Sequence, residues 1–190
     1  MEENSIEHTI KKGSDKMIQQ NRIGAPDNRL KRSMFISVYR VSLVKDERIS
    51  FGHRKLNNSQ EAQSLIQSLI KTQGQPDREQ FCVILLSAKN AVIGLNIVSI
   101  GGLSSASVHP REVLKPAILA NSAAMILCHN HPSNDLEPSH DDLFITRRIV
   151  QASELMGITV HEHIIISMDD DRYYSFADNG LIGKFYNEID

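Results

Sequence analysis

The chain has 190 residues, 41% hydrophobic and 23% charged, with a formal net charge of −2. That is the make-up of an ordinary globular protein, long enough to bury a core without disulfide or metal staples. No apolar run approaches the roughly 18–20 residues that span a bilayer, the first residues lack the apolar stretch of a secretory leader, and without a basic excess the chain does not look like a protein that lives on phosphate neutralisation.

Residues 1–33 hold 12 charged residues and only scattered apolar ones. So little apolar surface cannot offset the entropy of ordering them, and a polar, mobile tail is expected. Residues 34–56 open on the β-rich run MFISVYRVSLV, then KDER as a turn and ISFG, which predicts a strand or hairpin extension. Asn58 and Glu61 follow with capping-box spacing. Behind them Ala62, Leu65, Ile66, Leu69 and Ile70 recur at helical spacing, and Gly74 stands where a helix-ending glycine belongs.

The run QFCVILLS, 80–87, is continuously apolar, as in a central strand covered on both faces. After a turn at 88–90, residues 91–100 read as its antiparallel partner. Pro110 suits the first position of a helix reaching about residue 121, which Pro116 should kink or restart. A second buried strand is predicted over 123–128, a helix from about 139 to 156 stopped by Gly157, and strands over 158–167 and 173–176. Strands interleaved with helices, with at least one hairpin, predict an α/β fold: a mixed sheet with helices on both faces. Cys82 and Cys128 lie inside apolar runs and form no CxxC pair, so they read as buried free thiols in a reducing, cytoplasmic setting.

The chemistry concentrates in HNHPSNDLEPSHDDL, 129–143. His129 and His131 stand at i and i+2 directly after a strand. In extended chain such residues share a face roughly 7 Å apart, and two imidazoles so placed can share one metal ion. Ser139 and Asp142 have capping-box spacing, which puts the Asp142 carboxylate in the first turn of a helix, near its positive end. Two imidazoles and one carboxylate make three protein ligands, the number for a catalytic zinc site with a fourth position left for water. Such a site needs a general base that does not bind the metal. Glu79 opens an otherwise apolar central strand and so lies at the sheet end, where sites in such folds sit. A second pair, His161 and His163, obeys the same i, i+2 spacing. With no carboxylate on a capped helix nearby and Glu162 on the opposite face, it reads as polar residues near the site rather than as ligands. A zinc deaminase would need H-x-E and P-C-x-x-C, and neither occurs.

The run H-x-H-P-x6-S-x-x-D with a glutamate about fifty residues upstream resembles the JAMM motif of MPN-type metalloproteases. Over about residues 57–182, with SVHPREVLKPAILANSAAMILCHNHPSNDLEPSHDD, TRRIVQASELMGI, HEHIIIS and YYSFADNGLI, the chain more closely resembles the RadC family of JAB-domain proteins. The resemblance implies a three-layer αβα fold related to the cytidine deaminases. It implies zinc on His129, His131 and Asp142, Glu79 as the carboxylate that activates the zinc-bound water, Ser139 as a hydroxyl stabilising the oxyanion, and a peptide or isopeptide bond as substrate. The alternative it carries is a DNA-repair accessory protein whose zinc is structural or vestigial. Two departures stand out. Asn134 replaces the usual glycine, a position Asn tolerates in left-handed geometry. Residues 1–56 show no G-x-G hairpin pattern, so a DNA-contacting helix-hairpin-helix segment is not expected there and DNA affinity is expected to be weak.

Overall fold

Asn58 begins the first helix as its spacing predicts: its side chain accepts the Glu61 N–H, and α1 runs over Ser59–Gln73. The computed structural model of the chain describes residues 37–38, 40–46, 48–52, 55–101 and 108–189; the expected tail, 1–33, lies outside them. After α1 come β1 (Gln80–Leu86), β2 (Val92–Ile100), α2 (Pro110–Leu119), β3 (Ala124–Asn130), α3 (His140–Leu155), β4 (Thr159–Ile166), β5 (Tyr173–Ser175) and α4 (Leu181–Asn187).

The strands form one sheet in the order β2-β1-β3-β4-β5. The β3–β4 pair is parallel and the other three pairs are antiparallel, so the sheet is mixed. Each strand presents alternate residues to two cores. Phe81, Val83, Leu85, Met125 and Leu127 face one side with Val113 and Ala117 of α2, Ile145 and Ile149 of α3 and Phe185 of α4. Cys82, Ile84, Cys128 and Ile164 face the other side, where Ala62, Leu65, Ile66 and Leu69 of α1 cover them. This is the expected three-layer αβα arrangement, and β1 and β3 read as continuous apolar runs because both of their faces are covered. Cys82 and Cys128 are cross-strand neighbours, buried and free.

Several details differ from the expectations. Gly74 ends α1 with φ −94°, not in the left-handed region. It is glycine because a Cβ there would come within 2.5 Å of Gln80 Oε1 and 2.8 Å of the Ile70 carbonyl. Pro116 neither starts nor ends α2, which runs on to Leu119 with Pro116 buried inside it. Within the predicted strand extension 34–56, the described residues form no strand; Lys55 alone makes an isolated bridge to Ala91. Val41 and Val44 there are exposed, and β-propensity without a ladder partner or a buried face does not make a strand. The short α4 was not foreseen: its N-cap is Gly180 at φ 71° with no side-chain cap, so it lacks a start signal.

Candidate metal centre

The sheet brings the chemistry to one end. β3 runs two residues further than its apolar run suggests, so His129 and Asn130 are still in strand and His131 follows directly. On one side His129 pairs with Phe81, just inside the start of β1; on the other it pairs with Ile165 of the parallel β4. The site therefore lies at the carboxyl end of the parallel pair, where such sheets leave a crevice. From above, α3 points its N-terminus at the same place. Ser139 is its N-cap and forms a complete capping box with Asp142. The Ser139 N–H and Oγ–H both donate to Asp142 Oδ2, at 2.8 and 2.6 Å, while Ser139 Oγ accepts the Asp142 N–H. With Oδ2 so held and 3.6 Å from His131 Nε2, Oδ1 turns to His129.

There the donor atoms converge. His129 Nε2 and His131 Nε2 are 3.0 Å apart, and Asp142 Oδ1 is 3.2 Å from His129 Nε2. Donors roughly 2.0–2.1 Å from a tetrahedral zinc lie about 3.3 Å from one another, so these separations suit one ion. His131 Nδ1 is 2.5 Å from the Asp135 carbonyl. A carbonyl only accepts, so Nδ1 carries a proton and neutral His131 offers a bare Nε2. Asp142 Oδ1 is buried and has no hydrogen-bond donor among the described residues. Bare nitrogens beside an unpartnered carboxylate oxygen are a cradle for a cation, and the donor set of imidazole and carboxylate suits zinc.

The charges agree with this reading. Burial works against the Asp142 carboxylate, but His129, His131 and the Ser139 hydroxyl outweigh it and hold the group far below the usual carboxylate range. Burial keeps His129 neutral despite Asp142 beside it. Burial also opposes a charge on His131, yet Asp142, the Asp135 carbonyl and Glu79 together raise it.

Glu79 stands beside these three residues, its Oε1 3.8 Å from His131 Nε2 and 21% of its side chain exposed. The four residues Glu79, His129, His131 and Asp142 have ligand atoms all within 4.8 Å of one another. The structure thus brings together every residue the motif singles out, with Ser139 behind Asp142. Glu112, by contrast, is paired on the surface with Arg111 and Lys115.

Thr146 and Asn130 were not singled out from the sequence, and His163 was read there only as a polar residue near the site. His163 is fully buried and its Nε2 is 2.8 Å from His129 Nδ1. Thr146 of α3 touches His163 Nδ1 at 2.6 Å. Asn130 holds the backbone around Glu79. The i, i+2 rule misplaces His163. Met125 pairs with Val160 but Ile126 pairs with Glu162, so His161 is an inserted residue. This β-bulge turns His163 to the Phe81 side with Val160 and leaves His161 exposed beside Asn90. Glu162 does face away from His163, as expected, and is bonded by Ser59 and Ser175. Asn134 takes the left-handed conformation, φ 57°, and its Oδ1 accepts from Ser167 Oγ and the Met168 N–H, contacts a glycine cannot make.

A "UPF0758 protein" from Methanosarcina mazei is 33% identical over 181 residues, 93% of this chain and 75% of that protein. One from Desulfitobacterium hafniense is 48% identical over 106 residues, and one from Clostridium acetobutylicum is 42% identical over 133. The matches cover 46% and 56% of those two proteins, so the chain spans about half the length of several relatives. Residues 56–181, well over half of the chain, match the model of the RadC-like JAB domain, and to that family the chain belongs.

Proposed function

We propose that this chain is a zinc-dependent hydrolase of the JAMM type that cleaves a peptide or isopeptide bond in a protein substrate. The observation that supports it best is the convergence of His129 Nε2, His131 Nε2 and Asp142 Oδ1 with a carboxylate, Glu79, standing next to them. Zinc held by those three residues would supply a water with a pKa near ~7 and polarise the scissile carbonyl. Glu79 Oε1, 3.8 Å from His131 Nε2, would be the group that takes a proton from the attacking water and gives it to the departing amine. His129 and His131 would hold the ion as neutral imidazoles, and neither needs to move a proton. Ser139 fixes the Asp142 carboxylate and, to serve an oxyanion, must swing its proton away from Oδ2.

A site that was only structural would be closed by four protein ligands and would have no use for a neighbouring base. A DNA-centred role would sit poorly with a net charge of −2. No helix among the described residues is long and apolar enough to cross a membrane, and the proposed setting is the cytoplasm. The test is a proteome-wide comparison of cleavage products between zinc-loaded wild type and Glu79→Gln. Products that appear only with the wild type support the hydrolase; identical product sets at equal zinc content overturn it.

A further inference from the structure

We infer that His163 is a positioning residue of the metal centre: through Thr146 it locks His129 in the tautomer whose Nε2 is free to bind the ion. The inference rests on the metal-binding part of the reading above and not on hydrolysis.

The argument is a count of protons along one chain of contacts. The Asp142 backbone carbonyl can only accept. Thr146 Oγ1 lies 2.5 Å from it, so the single hydroxyl proton of Thr146 points there. His163 Nδ1 is 2.6 Å from that same oxygen, and because the hydroxyl has no proton left to give, Nδ1 must bring its own. His163 lies between Phe176, stacked at 4.5 Å, and Phe81, edge-on at 5.4 Å. Its ring nitrogens bond only Thr146 and His129 in the described structure, so nothing there supports a second proton. Its Nε2 is therefore bare. His129 Nδ1, 2.8 Å away, must in turn be the donor, and neutral His129 is left with a bare Nε2 directed at Asp142 Oδ1 and His131 Nε2.

All three protons thus point one way, from His129 toward the Asp142 carbonyl, and hydrogen bonds aligned in this sense strengthen one another. Both ends of the chain lie on ligands. Asp142 anchors the chain with its backbone and binds with its carboxylate, so α3 sets the tautomer of a histidine on β3. Metal-bound histidines usually rest their second nitrogen on a carboxylate or a carbonyl; here an imidazole fills that role.

The test compares zinc affinity, by chelator competition on the full chain, in wild type, His163→Phe, His163→Gln, Thr146→Val and His129→Ala, with 15N-histidine spectra of the metal-free proteins. His163→Phe keeps an aromatic ring between Phe81 and Phe176 but cannot accept from His129; its affinity should fall about 10–100-fold. In His163→Gln the amide oxygen accepts from His129 and the amide N–H donates to Thr146, so most of the affinity should return. Thr146→Val leaves the imidazole in place but removes its anchor. His163 can then carry its proton on Nε2 and drive the His129 proton to the metal-facing nitrogen, so affinity should fall and the 15N pattern of His129 should reverse. If His163→Phe does not fold, Thr146→Val decides the matter by the same two readouts. Wild-type affinity and an unchanged His129 tautomer in Thr146→Val would overturn the inference. Wild-type affinity in His129→Ala would instead overturn the metal centre itself.

Discussion

Asn130 grips the chain on both sides of Glu79. Its Oδ1 accepts the Gln80 N–H at 3.0 Å and its amide donates to the Arg78 carbonyl at 2.9 Å. The residue between the two metal-site histidines therefore ties β3 to the segment that carries the carboxylate. Replacing it with Ala leaves a buried N–H and a carbonyl unpaired, which costs about 1–3 kcal/mol. Asn130→Ala should unfold at lower denaturant yet still bind zinc, because Asn130 is not a ligand. An unchanged unfolding midpoint would show that the grip contributes nothing.

Ser139 has two tasks, capping α3 and holding Asp142 Oδ2. Ser139→Ala should lose about 1 kcal/mol of stability for the cap. Once a substrate is in hand, hydrolysis should fall about 10²–10³-fold if the hydroxyl also serves the oxyanion. Denaturation and turnover measured on one preparation separate the two tasks: a stability loss with full activity leaves Ser139 a cap only.

Burial holds His129 and His163 below their ordinary pKa of 6.5. Above that pH the folded and unfolded forms of both are neutral and contribute no slope. Below it the unfolded chain takes up protons that the fold refuses, so stability falls as pH falls, by at most about 1.4 kcal/mol per pH unit for each histidine. His131 is shifted upward, so it adds stability as pH falls from its raised pKa to 6.5 and contributes no slope only below that window. Urea unfolding of the metal-free protein should show a midpoint lower near about pH 5 than near about pH 6.5, a range in which His131 adds no slope. Equal midpoints would mean that the two rings are not held neutral.

Most of this centre was legible before the fold was known, for reasons that lie in individual residues. His129, His131, Ser139 and Asp142 are close in sequence, and strand and cap geometry alone bring them near one another. Asn58 and the apolar spacing behind it define α1 by local chemistry. What the sequence hides is non-local or irregular. Thr146 is an unremarkable mid-helix residue until α3 meets β4. Asn130 acts across the sheet on a segment fifty residues away. His163 is concealed by the bulge at His161, which no alternation rule foresees. In the stretch before residue 56 the β-branched residues suggest a strand, part of it lies outside the described residues, and the described residues there form none.

Glu79 is assigned to proton transfer and not to zinc, and Glu79→Gln separates the two roles. The amide keeps the shape of the side chain but cannot take a proton. Zinc content and fold should stay at wild-type levels, while hydrolysis falls roughly 10²–10⁴-fold. Loss of zinc in this variant would make Glu79 a fourth ligand and the centre a closed one.

The most direct measurement is the zinc content of purified protein by elemental analysis, with folding checked by circular dichroism. Wild type should hold about one ion per chain. His129→Ala and Asp142→Ala should each lose it, because each removes one of the three converging donors. His161→Ala should keep it, because that ring sits on the bulge beside Asn90. Undiminished zinc in folded His129→Ala, or zinc-free wild type after incubation with the metal, would contradict the account.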